Sequence, residues 1–234
     1  VGSPCGRIFV SSYDSSSYRT YALSENGDVE WTAIHSSGAS DSLVLSPDSA
    51  VLYRTDGVGV VALYTADGAT KWSYSPEGET WSALALSSNG AALYFVTAAS
   101  VESVSTEDGS QIWMRDDIGV NSWNVLLSKD DSVMYFGTKE GVLSALNSCD
   151  GGTRWSYDFG SSVGYIGMSA ESVRGDLLFT ATYAGDVVAL RTGMQYAFDS
   201  VGGGLWNTAE GHFSVIPGGL RNTASGSYSY AVGQ

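Results

Sequence analysis

The stretch GVVALYTADGATKW, residues 59–72, decides the fold of this chain. Val60, Val61, Ala62 and Leu63 form a short apolar run, and runs rich in β-branched residues favour strands. Asp67-Gly68 is a turn dipeptide, because Gly tolerates the positive φ that a two-residue hairpin needs. Lys71-Trp72 then lies in the returning strand. The stretch reads as an antiparallel hairpin that ends on a tryptophan.

The same hairpin recurs along the chain. TYALSENGDVEW ends at Trp31, SVESVSTEDGSQIW at Trp113 and VLSALNSCDGGTRW at Trp155. A shorter form, DVVALRTGMQY, ends at Tyr196. Successive ends stand 41, 41, 42 and 41 residues apart. Each period holds four strand signals. Between Trp72 and Trp113 these are Ser82–Ser87, Ala91–Thr97, Ser100–Ser105 and Ser110–Trp113, divided by Ser88-Asn89-Gly90, Ala98-Ala99 and Asp108-Gly109. No helical periodicity of useful length competes with them. A period of about 40 with four strands predicts an all-β fold, a β-propeller of four-stranded antiparallel blades.

The repeat resembles the quinoprotein (PQQ-type) propeller repeat family, which also includes outer-membrane assembly factor propellers. That family's tryptophan-docking motif places Ala or Ser first, Gly six residues on and Trp four after that. Ala62, Gly68 and Trp72 match it, as do Ser103, Gly109 and Trp113, and Ala145, Gly151 and Trp155. Copy one is a residue short (Ala22, Gly27, Trp31), and copy five departs further (Ala189, Gly193, Tyr196). Trp31, Trp72, Trp113, Trp155 and Tyr196 are expected to pack structurally between neighbouring blades. One propeller fold hosts many functions, so the motif speaks for the fold and not for an activity.

A chain of 234 residues can bury a sizeable core, and 1–234 is expected to be a single propeller domain. Repeats end near 31, 72, 113, 155 and 196, leaving 197–234 as closing strands or a partial blade. The chain enters with Gly6–Ser12, Tyr18–Ser24 and Val29–Thr32 as second, third and fourth strands. In one reading five blades close, with His212–Pro217 supplying the missing innermost strand of the first blade. In the other the repeats are part of a larger ring. Ser227–Val232 reads as a further strand.

The formal charge is −14, which argues against nucleic acid and anionic membrane surfaces as partners. No apolar run is long enough to span a membrane, and no signal peptide precedes Val1, so a mature, trimmed or excerpted product is expected, extracellular or periplasmic. Cys5 and Cys149 are the only cysteines; their spacing leaves pairing open. There is no N-x-Ser/Thr sequon.

A second aromatic series marks the candidate site. Trp81, Trp123, Tyr165 and Trp206 follow the repeat ends by 9, 10, 10 and 10 residues. Each stands before an innermost strand, at one rim of the central channel, where copy one has Asp41. Loops on the same face offer Tyr13, Asp14, Arg54, Asp56, Lys139, Glu140 and Tyr183. Aromatics with scattered polar groups could stack a sugar ring, a planar cofactor or a peptide side chain. Trp81, Trp123, Tyr165, Trp206, Arg54 and Lys139 are the candidate ligand-binding residues. The competing reading is that the aromatics only plug the channel.

Catalytic signatures are missing from the sequence. His35 and His212 are the only histidines and lie in no metal-binding spacing. There is no GxSxG, P-loop, calcium loop or strand-linked GxGxxG. Asp116-Asp117 and Asp130-Asp131 read as solvated loop acids, and Asp67, Asp108 and Asp150 as hairpin-turn residues. The resemblance also implies an alternative, a PQQ-dependent dehydrogenase. Such enzymes resemble this chain in their repeats but use a longer ring, a vicinal cysteine pair and a calcium site. The sequence maps none of these, so no metal and no cofactor is expected. The reading that remains is a non-catalytic binding or scaffold module for a protein or carbohydrate partner, without membrane insertion. A structural module of an extracellular assembly is the third reading.

Overall fold

The computed structural model describes residues 6–14, 17–35, 42–80, 83–118, 124–160, 166–172, 174–182, 185, 187–192, 200–201, 208–209, 215–216 and 223–224. All regular structure in them is β. The chain divides into two compact units, Val1–Leu127 and Ser128–Gln234.

Unit 1 holds β1 (Ile8–Asp14), β2 (Ser17–Leu23), β3 (Val29–His35), β4 (Leu43–Leu45), β5 (Val51–Thr55), β6 (Val60–Tyr64), β7 (Thr70–Tyr74), β8 (Ala85–Leu86), β9 (Ala92–Val96), β10 (Val101–Ser105), β11 (Gln111–Arg115) and β12 (Val125–Leu127). β1 to β11 form a three-stranded sheet, β1-β2-β3, and two four-stranded sheets, β4-β5-β6-β7 and β8-β9-β10-β11, all antiparallel between chain neighbours. Innermost strands are shorter than the sequence suggests, β8 covering only Ala85–Leu86 of Ser82–Ser87.

The founding hairpin differs in detail from a two-residue turn. Tyr64 N–H donates to Ala69 O at 2.8 Å and Gly68 N–H to Tyr64 O at 2.9 Å. Four residues therefore form the loop, and Gly68 takes φ +74°. The register shifts by a bulge between Ala62 and Leu63. Copies three and four repeat both the loop bonds and the bulge. A residue with an L side chain would be strained at this φ.

A second device sits between first and second strands. Ser46 Oγ donates to Asp48 Oδ1 at 2.6 Å and accepts Val51 N–H at 2.9 Å. Ser87 with Asn89, and Ser128 with Asp130, make the same turn. Asp130 is exposed in its turn, as expected of a solvated loop acid, and three donors from Ser128 and Ser132 hold its pKa at about 2. Asp117 remains exposed and pairs with Arg115.

Sheets stack face to face, which is why β5 is buried at every residue. Val51 and Tyr53 face the third sheet, in a core with Ala62, Trp72, Leu84, Leu93 and Phe95. Leu52 on the other face joins Phe9, Ala22 and Leu63. Burying such side chains contributes about 1.5–3 kcal/mol each.

Unit 2 holds β13 (Val133–Gly137), β14 (Val142–Asn147), β15 (Thr153–Asp158), β16 (Ile166–Glu171), β17 (Leu177–Thr182), β18 (Val187–Arg191), β19 (Ser200–Val201), β20 (Thr208–Ala209), β21 (Val215–Ile216) and β22 (Thr223–Ala224). β13, β14 and β15 run antiparallel in succession. A five-stranded sheet has the order β16-β17-β18-β19-β21, and β20 pairs with β22. The pairing of β19 with β21 is parallel. The segment His212–Pro217, expected in the closed-ring reading to complete the N-terminal sheet, contributes Val215–Ile216 here instead.

Candidate partner-binding face and sheet seams

Each seam between stacked sheets in unit 1 is locked by one carbonyl. Trp31 Nε1 donates to Thr65 O at 2.9 Å, and Arg7 Nη1 donates to the same oxygen at 3.0 Å. At the next seam Trp72 Nε1 and Lys71 Nζ donate to Thr106 O at 2.9 and 3.0 Å. The indole rings lie flat over the turn glycines. A Cβ on Gly68 would stand 2.7 Å from Trp31, and one on Gly109 would stand 2.8 Å from Trp72. Gly therefore serves twice, for the left-handed φ and for the close approach of the ring. A tilted aromatic ring backs each indole, Phe9 for Trp31 and Tyr53 for Trp72, both at 5.8 Å between centroids.

The opposite end of unit 1 carries the turns β1–β2, β5–β6 and β9–β10. The β7–β8 connection is tied across two of them. Thr80 N–H donates to Gly57 O at 3.2 Å, and Ala98 N–H to Glu79 O at 2.9 Å. Thr97 Oγ1 donates to Glu77 O at 3.3 Å. These bonds hold the β5–β6 turn, on which Val58 is 51% exposed; Tyr13, at the end of β1, is 58% exposed. Tyr13 packs on Tyr18 at 4.5 Å between ring centroids. Glu77 and Glu79 are exposed on the β7–β8 connection.

Arg54, expected at this rim, is buried at 1% exposure. Its Nε donates to Thr55 O at 3.1 Å and its Nη1 to Thr20 Oγ1 at 3.2 Å. Thr20 Oγ1 also meets His35 Nε2 at 3.1 Å. Burial lowers the Arg54 pKa to about 10, opposed by Asp56, so the guanidinium stays charged. The His35 pKa falls from the ordinary 6.5 to about 4, first through burial and then through Arg54. Arg54 thus acts inside the seam, as an anchor of the rim rather than an exposed contact.

Lys139 is exposed on the β13–β14 turn in unit 2, which Thr138 N–H closes on Val142 O at 2.7 Å. Trp81, Trp123, Tyr165, Trp206 and Tyr196 lie outside the described residues, as do Cys5, Asp41 and Tyr183. Cys149 is an exposed free thiol. No cluster of metal-ligating side chains occurs among the described residues. Sequence reasoning missed Tyr18, Val58 and the Thr20–His35 pair. Only Tyr18 carried a usable signal, as the residue opening the strand opposite Tyr13.

Successive antiparallel sheets, stacked in unit 1 with docked indoles at both of its seams, define a propeller-type repeat protein. The chain belongs to the family of the outer membrane protein assembly factor BamB, whose family model matches residues 1–125 and 93–201. Among solved structures it is similar to BamB from Moraxella catarrhalis, with a TM-score of 0.62 at 14% identity. The match covers 79% of this chain and 59% of that one. At that identity the likeness is one of fold. Comparison with curated protein sequences gives no match.

Proposed function

We propose that this chain is a non-catalytic scaffold that binds a protein partner in outer membrane protein assembly, on the periplasmic side. The family match over residues 1–125 and 93–201 carries this reading. Exposed Tyr13, packed on half-buried Tyr18, and exposed Val58 offer apolar side chains of the kind that interface cores use. Glu77 and Glu79 favour a basic rim on the partner. Trp81 and Trp123 are proposed as further ligand-binding residues. We further propose that 1–234 is one propeller domain, for which a single cooperative unfolding transition is the expected outcome.

Site-specific photocrosslinking tests the assignment. A photoreactive residue at Tyr13 or Val58 should give adducts with an outer-membrane assembly component. The same residue at Ile112, exposed on the outermost strand β11, should give none. Replacing Trp81 and Trp123 together with Ala should abolish the adducts without lowering Tm. Adducts at Ile112 alone, or full crosslinking by the double variant, would overturn the proposed face.

A further inference from the structure

The seam in unit 2 between β13–β15 and β16–β18 is built from equivalent positions but bonded differently. At the Trp72 seam the indole and Lys71 both reach the Thr106 carbonyl, and the Tyr74 hydroxyl donates across the seam to Glu102 Oε2 at 2.6 Å. Tyr135 occupies the position of Tyr53, and Thr192 that of Thr106. Yet the Tyr135 hydroxyl is buried with no hydrogen-bond partner, and so is Trp155 Nε1. Arg154, at the position of Lys71, turns away from the Thr192 carbonyl. Its Nε donates to Asn147 Oδ1 at 2.6 Å and its Nη2 to Ser132 O at 3.2 Å. A cavity of about 300 Å³ opens there, lined by Lys129, Tyr135, Arg154, Glu171, Arg174 and Thr192 among others.

We propose that this cavity is a binding site for a small organic acid, whose carboxylate accepts from the Tyr135 hydroxyl and from Arg174. Charge points to an anion. Three cationic side chains line the cavity, within a chain of net charge −14. Its two carboxylates are already engaged. Asp130 accepts from Ser128 and Ser132, and Glu171 Oε2 accepts the Lys129 N–H at 2.7 Å. Asp176 neighbours Arg174 but accepts from Ser172 Oγ at 2.7 Å. Burial raises the Tyr135 pKa, so its hydroxyl stays a donor. Guanidinium and phenol together suit a planar, bidentate acceptor. An unpartnered buried hydroxyl gains most from such a ligand, because its desolvation cost has already been met in the free protein. The volume admits a molecule of about ten non-hydrogen atoms. This site does not depend on the proposed partner-binding face.

Titration calorimetry of the full chain with succinate and with citrate tests the proposal, with succinamide at matched ionic strength as control. Saturable binding of an acid and none of succinamide is expected. Tyr135→Phe and Arg174→Gln should each weaken affinity about tenfold. Tyr135→Phe should leave the ligand-free Tm unchanged or raised, which separates lost binding from lost folding. Absence of saturable binding at tens of millimolar acid overturns the site. Unchanged affinity in both variants does so too, as does a fall in the ligand-free Tm of Tyr135→Phe.

Discussion

Two seams of this molecule use the same residue types and reach different ends. At Trp72, indole and lysine converge on the Thr106 carbonyl. At Trp155, indole and tyrosine find no acceptor, and the arginine bonds within its own sheet. Neighbouring positions track the change. In the first seam Pro47 presses on Gly90, where a Cβ would stand 2.7 Å from the proline ring. In unit 2 the corresponding positions are Lys129 and Gly175, with Arg174 beside it, and all three line the cavity. Bulky charged side chains that must keep their solvation cannot close a seam as a proline on a glycine does. A docking tryptophan therefore does not by itself close a seam; the acceptor opposite it must arrive too.

The largest effect should separate the two tryptophans. Trp72→Ala removes an indole that is 8% exposed and hydrogen-bonded, at a cost of about 3–5 kcal/mol. Trp155→Ala removes one that is half-buried and unpartnered, and should cost roughly half as much. Equal losses in urea unfolding would erase the distinction.

Acid should act on the first seam of unit 1. His35 is protonated below about 6.5 when unfolded and below about 4 when folded. The unfolded state thus binds the proton more readily, so stability is full above pH 6.5 and falls as pH drops toward 4. The loss should be about 1–2 kcal/mol after allowance for solvent screening of the half-buried ring. His35→Gln should flatten that part of the stability profile. A slope unchanged in the variant would assign the acid sensitivity elsewhere.

The smallest effect concerns the strand turns. Ser49 and Asp131 hold φ +59° and +57° where Gly90 and Gly175 stand in the equivalent turns. Ser49→Gly and Asp131→Gly relieve that strain and should raise stability by about 0.5–1 kcal/mol each, measured by chemical denaturation. A loss in either would mean that the side chain contributes more than its backbone conformation costs.

Much of this was legible in advance. The tryptophan period reported the stacked sheets, because each repeat must bury an indole against the next. Asp67-Gly68 marked the turn but not its length, since the bulge between Ala62 and Leu63 depends on pairing that a single segment cannot display. Arg54 read as a rim residue because charge normally seeks water. Its burial depends on Thr20 and His35, which the stacking brings from another sheet. Copy five departed visibly from the motif, with a shortened turn after Thr192. The consequence, an unpartnered Tyr135 hydroxyl in the sheet before it, could be seen only once the seam was assembled.

The most direct test compares Tyr74→Phe with Tyr135→Phe by urea unfolding. The Tyr74 hydroxyl donates across the Trp72 seam to Glu102 Oε2 at 2.6 Å, so the account predicts that Tyr74→Phe loses about 1–2 kcal/mol, a hydrogen bond's worth, while Tyr135→Phe is neutral or stabilising. Equal losses from the two substitutions would show that Tyr135 has a partner and that the second seam is closed like the first.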